Sequence, residues 1–216
     1  TKSDMDSPFH KNDIAIEKTE TAFSGFFRVL RYRLKHKLFS GGWSTPITRE
    51  LFVRGDSVGV LLYDAQHDRV ALAQQFRIGC LDNEQGAWVW EVVAGMMKAG
   101  EHAADVAVRE VAEETGLSID AEGLIPIVRY YSSPGGTDER LQLFCALCAL
   151  PYELDSIHGL PEEGEDIRVR CFAVETVFNA MLAGTINNAA SIIALQWLQL
   201  HRDALRQQAV EDDLPV

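Results

Sequence analysis

The sequence has few cysteines and a shortage of positive charge, and each absence excludes a class of protein. The four cysteines, Cys80, Cys145, Cys148 and Cys171, are too few and too scattered for the disulfide framework of a small secreted domain. We therefore expect them to be reduced. Lys and Arg number 20 against 32 Asp and Glu, which gives a net charge of −12. Nucleic-acid binding needs clustered basic residues to neutralise phosphates, so the composition predicts no nucleic-acid partner.

Long apolar runs are also lacking. None approaches the roughly 20 residues that a membrane-spanning helix needs, and the first residues, TKSDMDSPFHKND, have no apolar core of a signal peptide. The sequence therefore predicts a cytoplasmic protein with no membrane segment. Hydrophobic residues make up 47% and charged residues 24%, which is typical of a folded globular chain. A length of 216 residues favours one main domain with a smaller segment beside it.

Alternating apolar and basic residues occupy part of the N-terminal quarter, between Phe27 and Phe39. Leucines and Tyr32 fall on one face of this stretch, and Arg31, Arg33, Lys35 and Lys37 fall on the other. A Gly-Gly pair at residues 41–42 suits the turn that follows, and the segment STPITRELFVR resumes the extended pattern. We expect a long antiparallel hairpin. Its apolar face needs cover, which exchange between two subunits would supply, so we expect a homodimer.

The remaining periodicity predicts a mixed sheet covered by helices. Strands are expected at residues 57–63, 70–76, 88–94, 124–131 and 141–150, and again from residue 167, after a loop at 151–165. Helices are expected near residues 102–115, 175–182 and 189–207, the first with an apolar stripe and with Gly116 as its cap. This order of elements favours an α+β arrangement with the hairpin in front of the main sheet.

The helix predicted near residues 102–115 carries three glutamates on one face, turned away from its apolar stripe. Glu110, Glu113 and Glu114 stand at i, i+3 and i+4, and Arg109 is the nearby cation. Taken alone, this pattern is typical of a solvated acidic surface. Carboxylates without basic neighbours are, however, also what Mg²⁺ prefers, with waters and a substrate phosphate completing its shell. Such ions could bridge a diphosphate and activate a water for its hydrolysis.

The spacing around this helix favours the second interpretation. The motif runs Gly95, five residues, Glu101, seven residues, Arg109-Glu110-Val111, one residue, Glu113-Glu114, one residue, Gly116-Leu117. It resembles the box of the Nudix hydrolases at every position. The resemblance implies a Nudix fold, which is an α/β/α sandwich around a mixed β-sheet. It places the catalytic domain at residues 57–210 and an N-terminal β-hairpin and dimerisation segment at residues 1–56.

The resemblance also implies roles for the box residues. Two or three Mg²⁺ or Mn²⁺ ions are expected, with carboxylate ligands from Glu110 and Glu114. Glu113 is expected as a further ligand or as a residue just behind the ligands, and the backbone carbonyl of Ala94 as another ligand. Arg109 is grouped with the catalytic residues and is expected to brace the loop and helix through a salt bridge to Glu101.

Segments outside the box resemble bacterial ADP-ribose pyrophosphatases from about residue 11 to residue 206. They include YSSPGGTDE with Pro134, the loop IHGLPEEGEDIRV and the tail NNAASIIALQWLQLH. The resemblance implies hydrolysis of ADP-ribose to AMP and ribose 5-phosphate by a homodimer with exchanged N-terminal hairpins. Two alternatives are hydrolysis of another nucleoside diphosphate sugar, such as GDP-mannose, and sensing of ADP-ribose without cleavage. Sensors usually lose box carboxylates, and this chain keeps them all.

The same resemblance assigns the remaining site residues. The general base is expected on the acidic loop at residues 161–166, where Glu163 is the assigned base and Glu165 a metal ligand. The sequence does not separate Glu163 from Glu162. Substrate contacts are assigned to Phe26, Arg49, Arg77, Met96 and Glu139, with Phe26 and Arg49 on the adenine. The residue types alone would make Phe26 a core aromatic and the two arginines members of surface ion pairs.

Overall fold

The structure is a computed structural model that describes residues 5–161 and 164–212. The chain divides into two compact units. The first contains the residues up to Gly55 together with Ser133–Glu139, and the second contains Asp56–Ser132 and the chain from Arg140 onwards. Within the described residues, no helix combines the length and the apolar character that crossing a membrane requires.

The first unit is built on a three-stranded antiparallel sheet. Its strands are β1 (Ile14–Ser24), β2 (Arg28–His36) and β3 (Ile47–Val53), in the order β1-β2-β3. The predicted hairpin is confirmed as β2 and β3, whereas β1 was not predicted. Strand β1 changes the electrostatics of the basic face, because Arg31 binds Glu20 of β1 as well as Glu50 of β3. The basic face is therefore an ion-pair ladder.

The second unit is an eight-stranded mixed sheet with helices on both faces. The path β10-β11-β5-β4-β9-β8 is extended by β6, which pairs with β5, and by β7, which pairs with β4. Only the β4–β9 pairing is parallel within the described sheet. The strands are β4 (Asp56–Asp64), β5 (Arg69–Phe76), β6 (Trp88–Glu91), β7 (Val93–Met96), β8 (Leu124–Tyr131), β9 (Arg140–Leu147), β10 (Asp155–His158) and β11 (Ile167–Ala173).

Three helices complete the described part of this unit, namely α1 (Ala103–Thr115), α2 (Val174–Leu182) and α3 (Ala189–Asp212). Two separate hydrophobic clusters show that the helices cover opposite faces of the sheet. Val177 of α2 and Leu195 of α3 belong to one cluster, and Val106 and Val111 of α1 belong to the other. The predicted fold class is confirmed.

Three predicted boundaries were wrong. The stretch at residues 88–94 was predicted as one strand, but it forms β6 and β7, which have different partners. The predicted loop at 151–165 contains the short strand β10, and the strand predicted to reach residue 150 ends at Leu147. Alternation of side chains reports which face a residue occupies, and it carries no information on which neighbouring strand it pairs with.

Strands β4 and β5 form a hairpin that opens into a fork, and this fork positions the site. They pair with each other only at Leu62–Asp64 and Arg69–Ala71. Beyond these pairs, β6 lies along β5 and β7 lies along β4, so the segment Trp88–Met96 fills the opening. Between β6 and β7, the N–H of Val92 donates to the Ser191 hydroxyl at 3.0 Å. Helix α1 packs against β7 and β4.

Helix α1 ends as predicted. Gly116 has a φ of 68° and its N–H donates to the carbonyl of Ala112 at 3.0 Å. A Cβ at this position would lie 2.9 Å from the His158 ring of β10. Gly116 therefore ends the box helix in the left-handed conformation and also leaves room for the strand that leads into the acidic loop.

Candidate active site

One stripe of α1 faces the sheet, and it includes a carboxylate. Ala107, Val111 and Glu114 follow one another at i, i+4 and i+7, and all three are buried. Glu114 is only 3% exposed, and its Oε2 accepts a hydrogen bond from the N–H of Ala94 on β7 at 3.4 Å. The expectation that the three box glutamates share a face turned away from the packing stripe was therefore wrong for Glu114. Glu113 is the glutamate that is exposed to solvent.

The environment of Glu114 disfavours its negative charge. Burial raises the pKa of Glu114 to about 8, and the charges of Glu91 and Glu110 act in the same direction. The N–H of Ala94 and the guanidinium of Arg77 oppose the shift without overcoming it. A buried carboxylate with this balance of neighbours would gain from a nearby cation.

Glu110 is held by the arginine beside it in the sequence. Arg109 donates from Nη1 to Glu101 Oε1 at 2.7 Å and from Nη2 to Glu110 Oε1 at 3.0 Å. The expected salt bridge between Glu101 and Arg109 is thus present. Burial raises the pKa of Glu110, Arg109 opposes the shift, and the charges of Glu113 and Glu165 add to it. The surroundings therefore disfavour the charged form of both Glu110 and Glu114 in the absence of a cation.

Gly95 makes the position of Glu110 possible. A Cβ at Gly95 would lie 2.0 Å from Glu110 Cδ and 2.3 Å from Glu110 Oε1, distances that no pair of nonbonded atoms tolerates. The carboxyl group of Glu110 thus occupies the place of a side chain on β7. The first glycine of the box is therefore a packing requirement for one of its glutamates. Met96, one residue further along β7, is 47% exposed.

Sequence analysis missed one residue of this site, Glu91. Its carboxylate accepts hydrogen bonds from Arg77, with Glu91 Oε1 2.8 Å from Arg77 Nε and 2.6 Å from Arg77 Nη2. Burial raises the pKa of Glu91, and the positive charge of Arg77 works against this shift. A single acidic residue in the apolar run WVWEVVA was the available signal. Arg77 is therefore in an ion pair, but in a half-buried one beside the box helix.

The acidic loop is described in part. The assigned base Glu163 and its alternative Glu162 lie outside the described residues. Glu165 is described, and its Oε2 accepts a hydrogen bond from the N–H of Leu160 at 3.2 Å. Its charge raises the pKa of both Glu110 and Arg77, so Glu165 lies close enough to act on the site electrostatically.

Three of the assigned substrate contacts lie in the first unit. Phe26 is 90% exposed, which excludes the alternative that it is a core aromatic, and its ring centroid lies 4.7 Å from that of Phe27. Arg54 lies over the ring of Phe27 and donates from Nη2 to Glu139 Oε1 at 3.1 Å. Arg49 is exposed on β3 and has no salt bridge among the described residues. Phe26 and Glu139 thus belong to one local cluster, whereas the guanidinium of Arg49 bonds to the carbonyl of Thr48.

The groups around α1 fit a divalent cation. Glu110 and Glu114 offer carboxyl oxygens whose charged form a nearby cation would stabilise. The N–H and C=O of one residue in an extended strand point to the same side, so the Ala94 carbonyl lies on the side where its N–H meets Glu114. Among the described residues, no three His, Cys, Asp or Glu side chains are placed to hold a metal ion together. Waters and substrate phosphates would therefore have to complete the shell, as Mg²⁺ usually requires.

Comparison with known proteins places the chain in a class. A model of the NUDIX domain matches residues 53–196, and the chain belongs to the Nudix family, whose hydrolases generally use divalent metal ions. The ADP-ribose pyrophosphatase of Escherichia coli is 42% identical over 205 residues, which cover 93% of this chain and 94% of that protein. The family predicted from the box is confirmed.

Two further relatives extend this comparison. The GDP-mannose pyrophosphatase of Cronobacter sakazakii is 31% identical over 158 residues, covering 70% of this chain and 78% of that protein. A crystal structure of an ADP compounds hydrolase superposes with a TM-score of 0.67 at 18% identity, covering 90% of this chain and 97% of the other. The last similarity concerns the fold.

The contact between Gly95 and Glu110 gives a first prediction. Gly95→Ala should displace the Glu110 carboxyl and weaken Mn²⁺ binding by roughly 10- to 100-fold, the usual effect of disturbing the support of a metal ligand. Titration calorimetry measures this affinity. Gly123→Ala is the control, because its added Cβ would lie no closer than 3.6 Å to any atom outside its neighbours. Unchanged affinity in Gly95→Ala would remove Glu110 from the metal site.

The buried carboxylate of Glu114 gives a second prediction, on stability in metal-free protein. The pKa of Glu114 is about 8 in the folded protein and has the ordinary value of 4.5 in the unfolded chain. Between these pH values unfolding releases the proton of Glu114, so the free energy of unfolding falls as pH rises from 4.5 to 8. Glu114→Gln removes this dependence. The melting temperature of the variant relative to wild type should therefore increase between pH 5 and pH 8 in EDTA.

The exposed neighbour Glu113 provides the matched control for this measurement. Glu113→Gln removes the same charge from the surface and should therefore change less with pH, relative to wild type, than Glu114→Gln does. Equal pH dependence in the two variants would show that burial does not hold the proton on Glu114.

Proposed function

We propose that this protein hydrolyses the diphosphate bond of ADP-ribose to give AMP and ribose 5-phosphate. The observation that carries the proposal is the 42% identity to an ADP-ribose pyrophosphatase over 93% of the chain. The site supports it, because the Nudix box is complete and its two inward glutamates lie against the fork of the sheet. We further propose two or three Mg²⁺ or Mn²⁺ ions as the cofactor.

Several residues of the site would bind the divalent ions or orient the residues that bind them. Glu110, Glu114, the Ala94 carbonyl and, with substrate, Glu165 would hold the divalent ions, with Glu113 close behind. When bound, the ions would neutralise diphosphate charge and make a water more acidic. Arg109 fixes the orientation of Glu110, and its bond to Glu101 ties this pair to the loop before α1.

The chemical step needs a general base to deprotonate the attacking water and a positive charge to bind the diphosphate. Glu163 would take the proton of the attacking water as the water oxygen bonds to one phosphorus. The bridging P–O bond would then break, and the bridging oxygen would leave with the other phosphomonoester, so that AMP and ribose 5-phosphate are formed. The guanidinium of Arg77 would contact the diphosphate, Met96 would line the substrate site, and Glu139 would contact the terminal ribose. Phe26 and Arg49 would hold the adenine ring between them.

The three-stranded sheet supports the proposal of a homodimer with exchanged N-terminal segments. None of the described residues before Asp56 is buried in the single chain. Several of its large apolar side chains are exposed: Ile14, Ile16, Phe23, Phe26, Phe39, Trp43 and Phe52. These exposed apolar side chains favour a partner surface, and a second copy supplies one. Residues 1–56 would then be the dimerisation segment and residues 57–210 the catalytic domain.

The positions of Phe26 and Arg49 also support two copies. Arg49 pairs with Tyr32 in the sheet, and Arg28, the first residue of β2, lies four residues or about 13 Å further along the strand. Phe26 lies in the turn beyond Arg28. The guanidinium of Arg49 is turned back onto the carbonyl of Thr48 at 2.8 Å. An adenine ring can stack on both side chains more easily when each copy of the chain contributes one of them.

Substrate preference is the direct test of the proposed function. With Mg²⁺, we expect AMP release from ADP-ribose, and we expect kcat/KM for ADP-ribose to exceed that for GDP-mannose by at least about 10-fold. The GDP-mannose alternative rests on a relative that is 31% identical over 70% of this chain, a weaker match. Quantitative chromatography of both reactions measures the ratio. A ratio below one would favour the alternative, and tight binding of ADP-ribose with no AMP formed would favour a sensor.

The general base gives a further prediction. Glu163→Gln should lower kcat by roughly 10²- to 10⁴-fold with KM for ADP-ribose changed only slightly, since the base acts in the transition state. Glu162→Gln is the matched control and should retain most of the activity. Steady-state kinetics of the two variants at saturating Mg²⁺ decides between the neighbours. The opposite ranking would move the base to Glu162, and mild effects in both would place it elsewhere.

A further inference from the structure

Arg77 is fixed from two directions. Its backbone N–H donates to the carbonyl of Ala87 at 2.8 Å, which continues the pairing of β5 with β6 past the end of β5. Its side chain is held by Glu91, which lies opposite Ala73 in the same pairing. The sheet register thus brings together an arginine and a glutamate that are 14 residues apart.

The two members of this ion pair differ in burial. The side chain of Glu91 is 11% exposed and that of Arg77 is 42% exposed. Glu91 accepts from one edge of the guanidinium, formed by Nε and Nη2, while much of the Arg77 side chain remains exposed to solvent. A pair that served only to neutralise a buried carboxylate would have no need to leave the cation accessible. An accessible guanidinium locked at one edge is suited to present its remaining N–H groups to an anion.

Arg77 also has competing anionic neighbours. The charges of Glu114 and Glu165 both act on it, yet Glu91 is its only salt-bridge partner among the described residues. Arginine released from Glu91 could turn toward Glu114 and occupy the carboxylate that the metal needs. The contact with Glu91 keeps the guanidinium on the β6 side of the fork.

We propose that Glu91 is a positioning residue for Arg77, which it holds at the mouth of the fork so that the guanidinium meets the diphosphate and stays off Glu114. The assignment rests on the proposed function, since it takes a diphosphate as the anion. Glu91 binds Arg77 directly, so under this assignment its effect on ADP-ribose binding passes through Arg77.

A double-mutant cycle on substrate binding tests this coupling. The dissociation constant of ADP-ribose is measured by calorimetry in EDTA, without turnover, for wild type, Glu91→Gln, Arg77→Ala and the double variant. Arg77→Ala should weaken binding by roughly 10-fold or more, the effect of a lost charge-assisted hydrogen bond. Glu91→Gln should weaken it by about 3-fold or more with Arg77 present, and by less than about 1.5-fold with Arg77 replaced.

Glu91→Asp guards against a simple charge effect or a folding defect of Glu91→Gln. It keeps the charge but shortens the side chain by one methylene, so it should weaken binding because the guanidinium moves. The control is Glu175→Gln, which alters another carboxylate–arginine pair, with Arg202, and should bind ADP-ribose like wild type. Thermal melts of all variants show whether each is folded.

Two kinds of result would overturn the assignment. Equal losses from Glu91→Gln with and without Arg77, or wild-type binding by both Glu91 variants, would mean that Glu91 does not act through Arg77. Failure of the proposed function looks different. Wild-type protein would then neither bind ADP-ribose in EDTA nor release AMP with Mg²⁺, and both proposals would fall together.

Discussion

The burial of the Glu114 carboxylate is the constraint on which the rest of the site depends. It lies on the packing stripe of α1, below Ala107 and Val111, at a position where a helix of this kind normally carries an apolar residue. Its pKa is raised to about 8, and two of its strongest neighbours are themselves acidic. Under the proposed metal site, the burial that weakens the metal-free fold would make Glu114 a strong ligand once a cation is present.

The fork of β4 and β5 is what turns this single carboxylate into a site. Filling the fork with β6 and β7 puts Ala94 against Glu114 and places Gly95 where the Glu110 carboxyl needs space. The same segment carries Glu91, and the end of β5 carries Arg77. Acidic groups from the helix and from the sheet therefore converge because one short stretch of chain changes partner strands at Val92.

Sequence analysis could single out those residues of the candidate site that belong to one short motif. The resemblance of the box singled out Gly95, Glu110 and Glu114, but helix spacing alone turned Glu114 away from the sheet, and the contacts with Ala94 and Gly95 arise from tertiary packing. Glu91 was not predicted because its contact with Arg77 depends on the register between β5 and β6, which the sequence pattern does not show. Strand β1 escaped because its register shifts, at Ile16/Lys18 and Thr21/Phe23, interrupt the two-residue alternation by which strands are recognised. Strand β10, with only four residues, is too short to show a period.

The two units differ in how much apolar surface they bury and in the substrate contacts proposed for them. The Nudix unit contains two buried hydrophobic clusters, whereas the three-stranded sheet has no buried residue among those described before Asp56. That sheet carries Phe26, which is exposed and free to stack on a planar ligand. Under the proposed dimer, the second copy that covers these exposed apolar side chains would also bring the second adenine-binding side chain into place. Assembly would then contribute to substrate recognition directly, since neither copy alone presents both stacking groups to one base.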